Sequence, residues 1–173
     1  PLLLFFIGAM IAFWPGYFSK INNQNFYTHA HGISMTLWLL MLILQPFLIK
    51  LNLRHWQRIV GKISYVLVPI ILISIIRLFR YNFKSMPAGV DFYYSFSALV
   101  LISALAFTIL YVLAIYHQKN SIIHARYMIC TLFPIVTPVT DRLISRYFSS
   151  LVSYAPMIGE SPILPFFGFI ISD

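Results

Sequence analysis

The sequence has 173 residues, 60% hydrophobic and only 9% charged, with a net charge of +8, where soluble domains carry about 25% charged residues. That composition excludes an ordinary soluble enzyme and points to an integral membrane protein in the lipid bilayer. No polybasic tail or nucleic-acid motif accompanies the charge, and the basic residues flank apolar runs, so they relate to lipid headgroups rather than to nucleic acid.

The opening run, PLLLFFIGAMIAFW, lacks the basic start and small-residue cleavage site of a signal peptide, and is expected to form a first membrane helix over about 1–18. Trp14, Pro15, Gly16 and Tyr17 then form an aromatic and breaker cluster suited to a membrane interface. A short polar loop, SKINNQNFY, leads into a second helix at 28–50. At about 23 residues it matches a hydrocarbon core of roughly 30 Å. Its His31, Trp38 and Gln45 fall seven apart on one face, with Ser34 and Met35 beside them. Lipid offers no partner to an imidazole or an amide, so this stripe is expected to face other helices.

A tight basic connection, LNLRHWQR, precedes a third helix at about 57–80, which contains Pro69 and is expected to kink there. A loop, YNFKSMPAGVD, leads to a fourth helix at about 92–116, where Ser97, Ser103, Ala104 and Thr108 suit close helix approach. After the turn HQKN a fifth helix runs from about 121 to 145 through Pro134 and Pro138. SSLVSYAPMIGESP reads as a loop, and residues 161–173 as the start of a sixth helix. Pro1 in place of a methionine and the apolar final run are expected of a sequence that continues at both ends. The fold class is therefore all-α: one transmembrane domain over 1–173, a bundle of five to six antiparallel helices with short connections. Cys130, the single cysteine, permits no internal disulfide.

Alternation sorts the charges onto two sides. Lys50, Arg54, Arg58, Lys62, Lys119 and Arg126 share one side without an acid; Lys20, Arg77, Arg80, Lys84, Arg142 and Arg146 share the other with Asp91, Asp141 and Glu160. The purely basic connections at 51–56 and 117–122 are expected to be cytoplasmic, in a bacterial inner membrane.

The same alternation groups the five histidines by depth, and three chemistries suit the layers. A b-type haem would take imidazoles from two helices at matched depth, here His55 and His124, with Arg58, Lys62 and Arg126 as cations near its propionates. A metal site on the other side would use His29, His31 and Asp141. A proton or quinone pathway would use His31, Gln45 and Arg142, with Trp38 on the same stripe, since ionisable groups at membrane depth are functional candidates. Each has a structural alternative: headgroup-facing histidines with snorkelling neighbours, a helix-capping role for His29 and His31, and an Asp141–Arg142 pair at a helix end. On the stripe of the fifth helix, His124, Met128, Thr131, Ile135, Pro138 and Arg142 are expected to face the second helix or a cavity shared with it.

As a set, HAHG at 29–32, Gln45, HWQRIVGKIS at 55–64, and HARYM at 124–128 followed by Pro138 and Arg142 resemble multi-pass bacterial membrane proteins of unknown function. The resemblance covers about residues 13–146. That group is in turn distantly similar to transmembrane di-haem cytochromes b, which pair histidines at two depths. It implies topology and, at most, one haem on the basic side, because His29 and His31 share one helix and no histidine on helices three to five answers them. The function expected is a polar histidine-containing intramembrane site, with haem or quinone electron transfer as its chemistry. The alternative is a cofactor-free accessory subunit packed against a larger membrane complex. An intramembrane metal enzyme is a third class, disfavoured because five histidines divide between two faces and the chain has only four acids.

Overall fold

The computed structural model describes residues 2–84, 91–148, 150, 157, 158, 161–164, 169 and 170. Six α-helices account for most of them: α1 (Leu2–Phe13), α2 (Phe26–Lys50), α3 (Arg54–Lys84), α4 (Asp91–Tyr116), α5 (Ser121–Cys130) and α6 (Phe133–Tyr147). The chain is thus all-α in its packed body. Four segments among the described residues are long and apolar enough to cross a membrane: Phe26–Lys50, Arg54–Tyr81, Ala98–Tyr116 and Ser121–Tyr147. The chain divides into two compact units, residues 1–7 with 19–88 and residues 8–18 with 89–173.

The first unit is built on the α2–α3 hairpin. The Asn25 side chain caps α2 by accepting the Thr28 N–H at 2.9 Å, which satisfies one of the four orphan donors of a helix start. The helix runs through Pro46 and ends where Asn52 turns left-handed, with φ 59°. Leu53 N–H donates to Leu48 O at 2.9 Å and Asn52 N–H to Ile49 O at 3.0 Å, the paired bonds of a Schellman cap with Asn52 at the left-handed position. The cap reverses the chain within three residues, so α3 packs antiparallel on α2. Trp38, Leu39, Met41, Leu42 and Leu48 from α2 and Leu67, Val68 and Ile71 from α3 are buried, a run at three- and four-residue spacing on each helix.

In the second unit α4 packs against α5 and α6. Asn120 caps α5 by accepting the Ile123 N–H at 3.2 Å. Phe107, Tyr111 and Ala114 are buried with Met128, Leu132, Ile135 and Val139.

Four sequence expectations need correction. The first helix does not run to residue 18. It ends at Phe13, because Pro15 and Gly16 cannot carry it on, and a short 3-10 helix at Phe18–Asn23 follows. Its 12 residues reach about 18 Å, short of a hydrocarbon core. The single fifth helix expected over 121–145 breaks into α5 and α6 at Thr131–Leu132. Pro134 has no N–H for the Cys130 carbonyl and its ring crowds that position, so Leu132 N–H turns to Ile129 O at 3.0 Å and Pro134 opens the next helix. No helix starts at 161. Ser161–Leu164 pairs antiparallel with Met157–Ile158 and with Phe169–Ile170, Ser161 opposite Ile158 and Leu164 opposite Phe169. Helix α3 also continues through Tyr81 to Lys84, where a loop was expected. The rest of that loop, most of 149–162, Glu160, and the side chains of Lys84, Asp91 and Ser97 lie outside the described residues.

Asn52→Gly is expected to keep the stability of the hairpin, and Asn52→Ile to lower it by about 1–2 kcal/mol, the cost of a left-handed conformation for a residue with a Cβ. Equilibrium unfolding in mixed micelles measures both.

Candidate functional site: a histidine–serine seam and an arginine clasp

Polar side chains on α2 and α3 meet inside the first unit. His31 Nδ1 lies 3.0 Å from Ser74 Oγ. Ser34 and Ser74 are buried, with their hydroxyl oxygens 3.4 Å apart. The serine hydroxyls have carbonyl acceptors of their own. The Ser74 hydroxyl donates to Ile71 O at 2.7 Å and the Ser34 hydroxyl to His31 O at 2.9 Å, and each hydroxyl has one hydrogen. With its own hydrogen on Ile71 O, Ser74 Oγ is placed to accept from a His31 ring protonated at Nδ1.

Further along the seam Trp38 is fully buried, at the level of Leu67 and Val68 in the antiparallel register. Gln45 Nε2–H donates to Gln57 O at 3.2 Å, and a Cβ at Gly61 would stand 3.4 Å from that same nitrogen, an ordinary contact distance. Ser64, also buried, donates to Gly61 O at 2.6 Å. Of the stripe His31, Trp38 and Gln45, His31 and Gln45 thus hydrogen-bond to α3. His29 is half-buried in the first turn of α2, its N–H donating to Asn25 O at 3.2 Å.

His55 is exposed at the start of α3, edge-on to Trp56 with ring centroids 6.1 Å apart, and Arg58 and Lys62 are exposed beside it. In the second unit, His124 Nδ1 lies 2.7 Å from Ala114 O. A carbonyl only accepts, so Nδ1 carries the proton there and caps the C-terminal end of α4. His117 stacks on Tyr127 with centroids 5.6 Å apart, and Arg126 is exposed. His55 and His124 belong to different units, as do His29 and His31 on the one hand and Asp141 on the other. Among the described residues of neither unit do three His, Cys, Asp or Glu side chains gather as a metal site.

A second polar group in that unit joins α6 to the end of α1. Arg142 donates to Pro138 O at 2.9 Å and its guanidinium carbon lies 4.6 Å from the centre of the Phe13 ring, a cation–π distance. Arg146 donates to Ala12 O at 3.0 Å, satisfying an orphan carbonyl where the helix dipole is negative. Asp141 lies within the field of both arginines. Burial raises the Tyr17 phenol above its ordinary value of 10.0, so it stays a neutral hydroxyl.

The chain matches no known protein family, curated protein or solved structure.

Ser74, Ser64 and Arg146 are the residues that reading by histidine position passed over. Their signal is spacing: Gln57, Gly61, Ser64, Val68 and Ile71 advance by threes and fours on α3, Ser74 continues that face, and Arg146 lies one turn after Arg142.

Ser74→Ala is expected to leave His31 Nδ1–H without its acceptor and to destabilise the protein by about 1–3 kcal/mol, with a shifted His31 ring 15N resonance. Ser34→Ala leaves that acceptor in place and is expected to keep the resonance.

Proposed function

We propose that the chain is an integral membrane protein crossing the bilayer through α2, α3, α4 and the α5–α6 pair, and that its His31–Ser74–Ser34 seam is a proton-exchanging site for a lipid-soluble compound of the quinone class. The observation carrying this reading is the His31–Ser74 bond of 3.0 Å between two helices of high hydropathy. His31 stands five residues into α2, about 8 Å along the helix axis. In a bilayer that depth is the edge of the hydrocarbon core, within reach of both water and a lipid-soluble molecule. Neutral His31 accepts a hydrogen bond at Nε2 and, once protonated, donates one there. It can therefore bind the hydroxyl form of such a compound in one state and the carbonyl form in the other, while Nδ1–H stays on Ser74.

Two measurements test this reading. The protein is expected to stay with membranes through alkaline carbonate; release into the supernatant would end the membrane reading. The His31 ring resonances are expected to move on adding a short-chain quinone to the protein in detergent, and the affinity to fall in His31→Ala. Unmoved resonances would remove the quinone.

A second reading, haem b, is favoured by His124. A ring held by Nδ1–H on a backbone carbonyl presents Nε2, as metal-bound imidazoles do. His124 would suit a ligand to the iron and Arg126 a cation near a propionate. Haem would supply one-electron transfer. A reduced-minus-oxidised spectrum of haem-replete protein is expected to show a b-type band that His124→Ala abolishes; a spectrum without a Soret band would exclude it.

A further inference from the structure

The arginine clasp is polar machinery that neither reading uses. Arg142, Arg146 and Asp141 together carry one net positive charge, beside a terminus whose dipole is met by Arg146. Arg146 is exposed, and a guanidinium has five N–H donors in a planar fork that fits phosphate oxygens. The bond to Ala12 O holds that fork beside Gly16, its Nη2 2.9 Å from where a Cβ there would be. Next to it lies an apolar groove lined by Met10, Ile11, Trp14 and Tyr147. Trp14 is 59% and Tyr147 51% exposed, and Trp14 stacks on Phe18 with centroids 6.0 Å apart. Exposed Trp and Tyr beside arginine at a helix end are the side chains of the headgroup level of a bilayer.

We propose that this is a binding site for an anionic glycerophospholipid, its phosphate on Arg146 and its acyl chain in the Met10–Ile11–Trp14–Tyr147 groove. Charge selects the occupant. The clasp lacks one negative charge for neutrality, and a phosphodiester supplies it, whereas a zwitterionic headgroup brings its own cation. The groove is wholly apolar in its side chains apart from the Trp and Tyr tips, which suits a hydrocarbon chain with its polar end at the arginine.

The inference rests on the membrane reading, and the experiment separates the two. Full-length protein is placed in nanodiscs of phosphatidylcholine alone and of phosphatidylcholine mixed with phosphatidylglycerol, and retained lipid is read by native mass spectrometry. Wild type is expected to retain phosphatidylglycerol preferentially. Arg146→Gln is expected to lose about tenfold of that preference, the effect of one charged hydrogen bond, and Lys119→Gln, the same charge change at another exposed site, to keep it. Should Arg146→Gln fail to fold, Trp14→Ser opens the groove without touching the clasp and is expected to lower retention of the lipid. Equal retention of both lipids by wild type, or an undiminished preference in Arg146→Gln or Trp14→Ser, would overturn the lipid site. Wild type that stays in carbonate-washed membranes yet shows no preference sinks this site alone, whereas wild type released by carbonate sinks the membrane reading beneath it.

Discussion

Helices whose outward faces are apolar leave their polar side chains one place to bond, which is inside their own unit. Among the described residues, no buried side-chain nitrogen or oxygen lacks a partner. This constraint organises the first unit. His31, Ser34, Gln45, Ser64 and Ser74 all fall on the α2–α3 seam, while Ile63, Val66, Ile70 and Ile73 of α3 are exposed. In water such a surface would be an aggregation hazard; against lipid it is the expected exterior. Each serine also bonds a carbonyl three residues back on its own helix, so its hydroxyl is satisfied even before the helices meet. Across the same seam Gln45 reaches the Gln57 main-chain carbonyl.

Helix positions were legible because hydropathy and length carry them. Residues 28–50 and 92–116 were read within two residues of α2 and α4, since each apolar run is bounded by polar turns that cannot continue it. What escaped was local. Proline at 134 looked compatible with a kinked continuous helix, and whether the chain kinks or breaks depends on where Leu132 N–H finds an acceptor, which a sequence does not state. Residues 161–170 are apolar enough for a helix by hydropathy, but Pro165 is a breaker inside that run.

The polar stripe of α2 was read from its own heptad spacing, and that spacing names the face but not the neighbour. A seven-residue period puts His31, Trp38 and Gln45 together whichever helix lies opposite. The partner became clear only from the Schellman turn at Asn52, which brings the next helix back onto the same face. A hairpin closed within three residues makes α3 the first claimant on any stripe of α2. Arg142 shows the same limit. Its place at a helix end beside an acid was readable, but the acceptors that hold the clasp, Phe13 and the Ala12 carbonyl, are more than a hundred residues distant in the chain.

His31 and His124 each turn Nδ1 to an oxygen, yet those oxygens differ in kind. Ala114 O can only accept, so a proton of His124 is held on Nδ1. Ser74 Oγ can also donate. If its hydroxyl swings from Ile71 O to His31, the neutral ring can carry its proton on Nε2 instead, at the cost of one hydrogen bond of about 0.5–1.5 kcal/mol net. A proton can then enter at one nitrogen and leave a ring that is still satisfied at the other. That freedom is absent at His124, whose Nδ1 faces a carbonyl that can only accept.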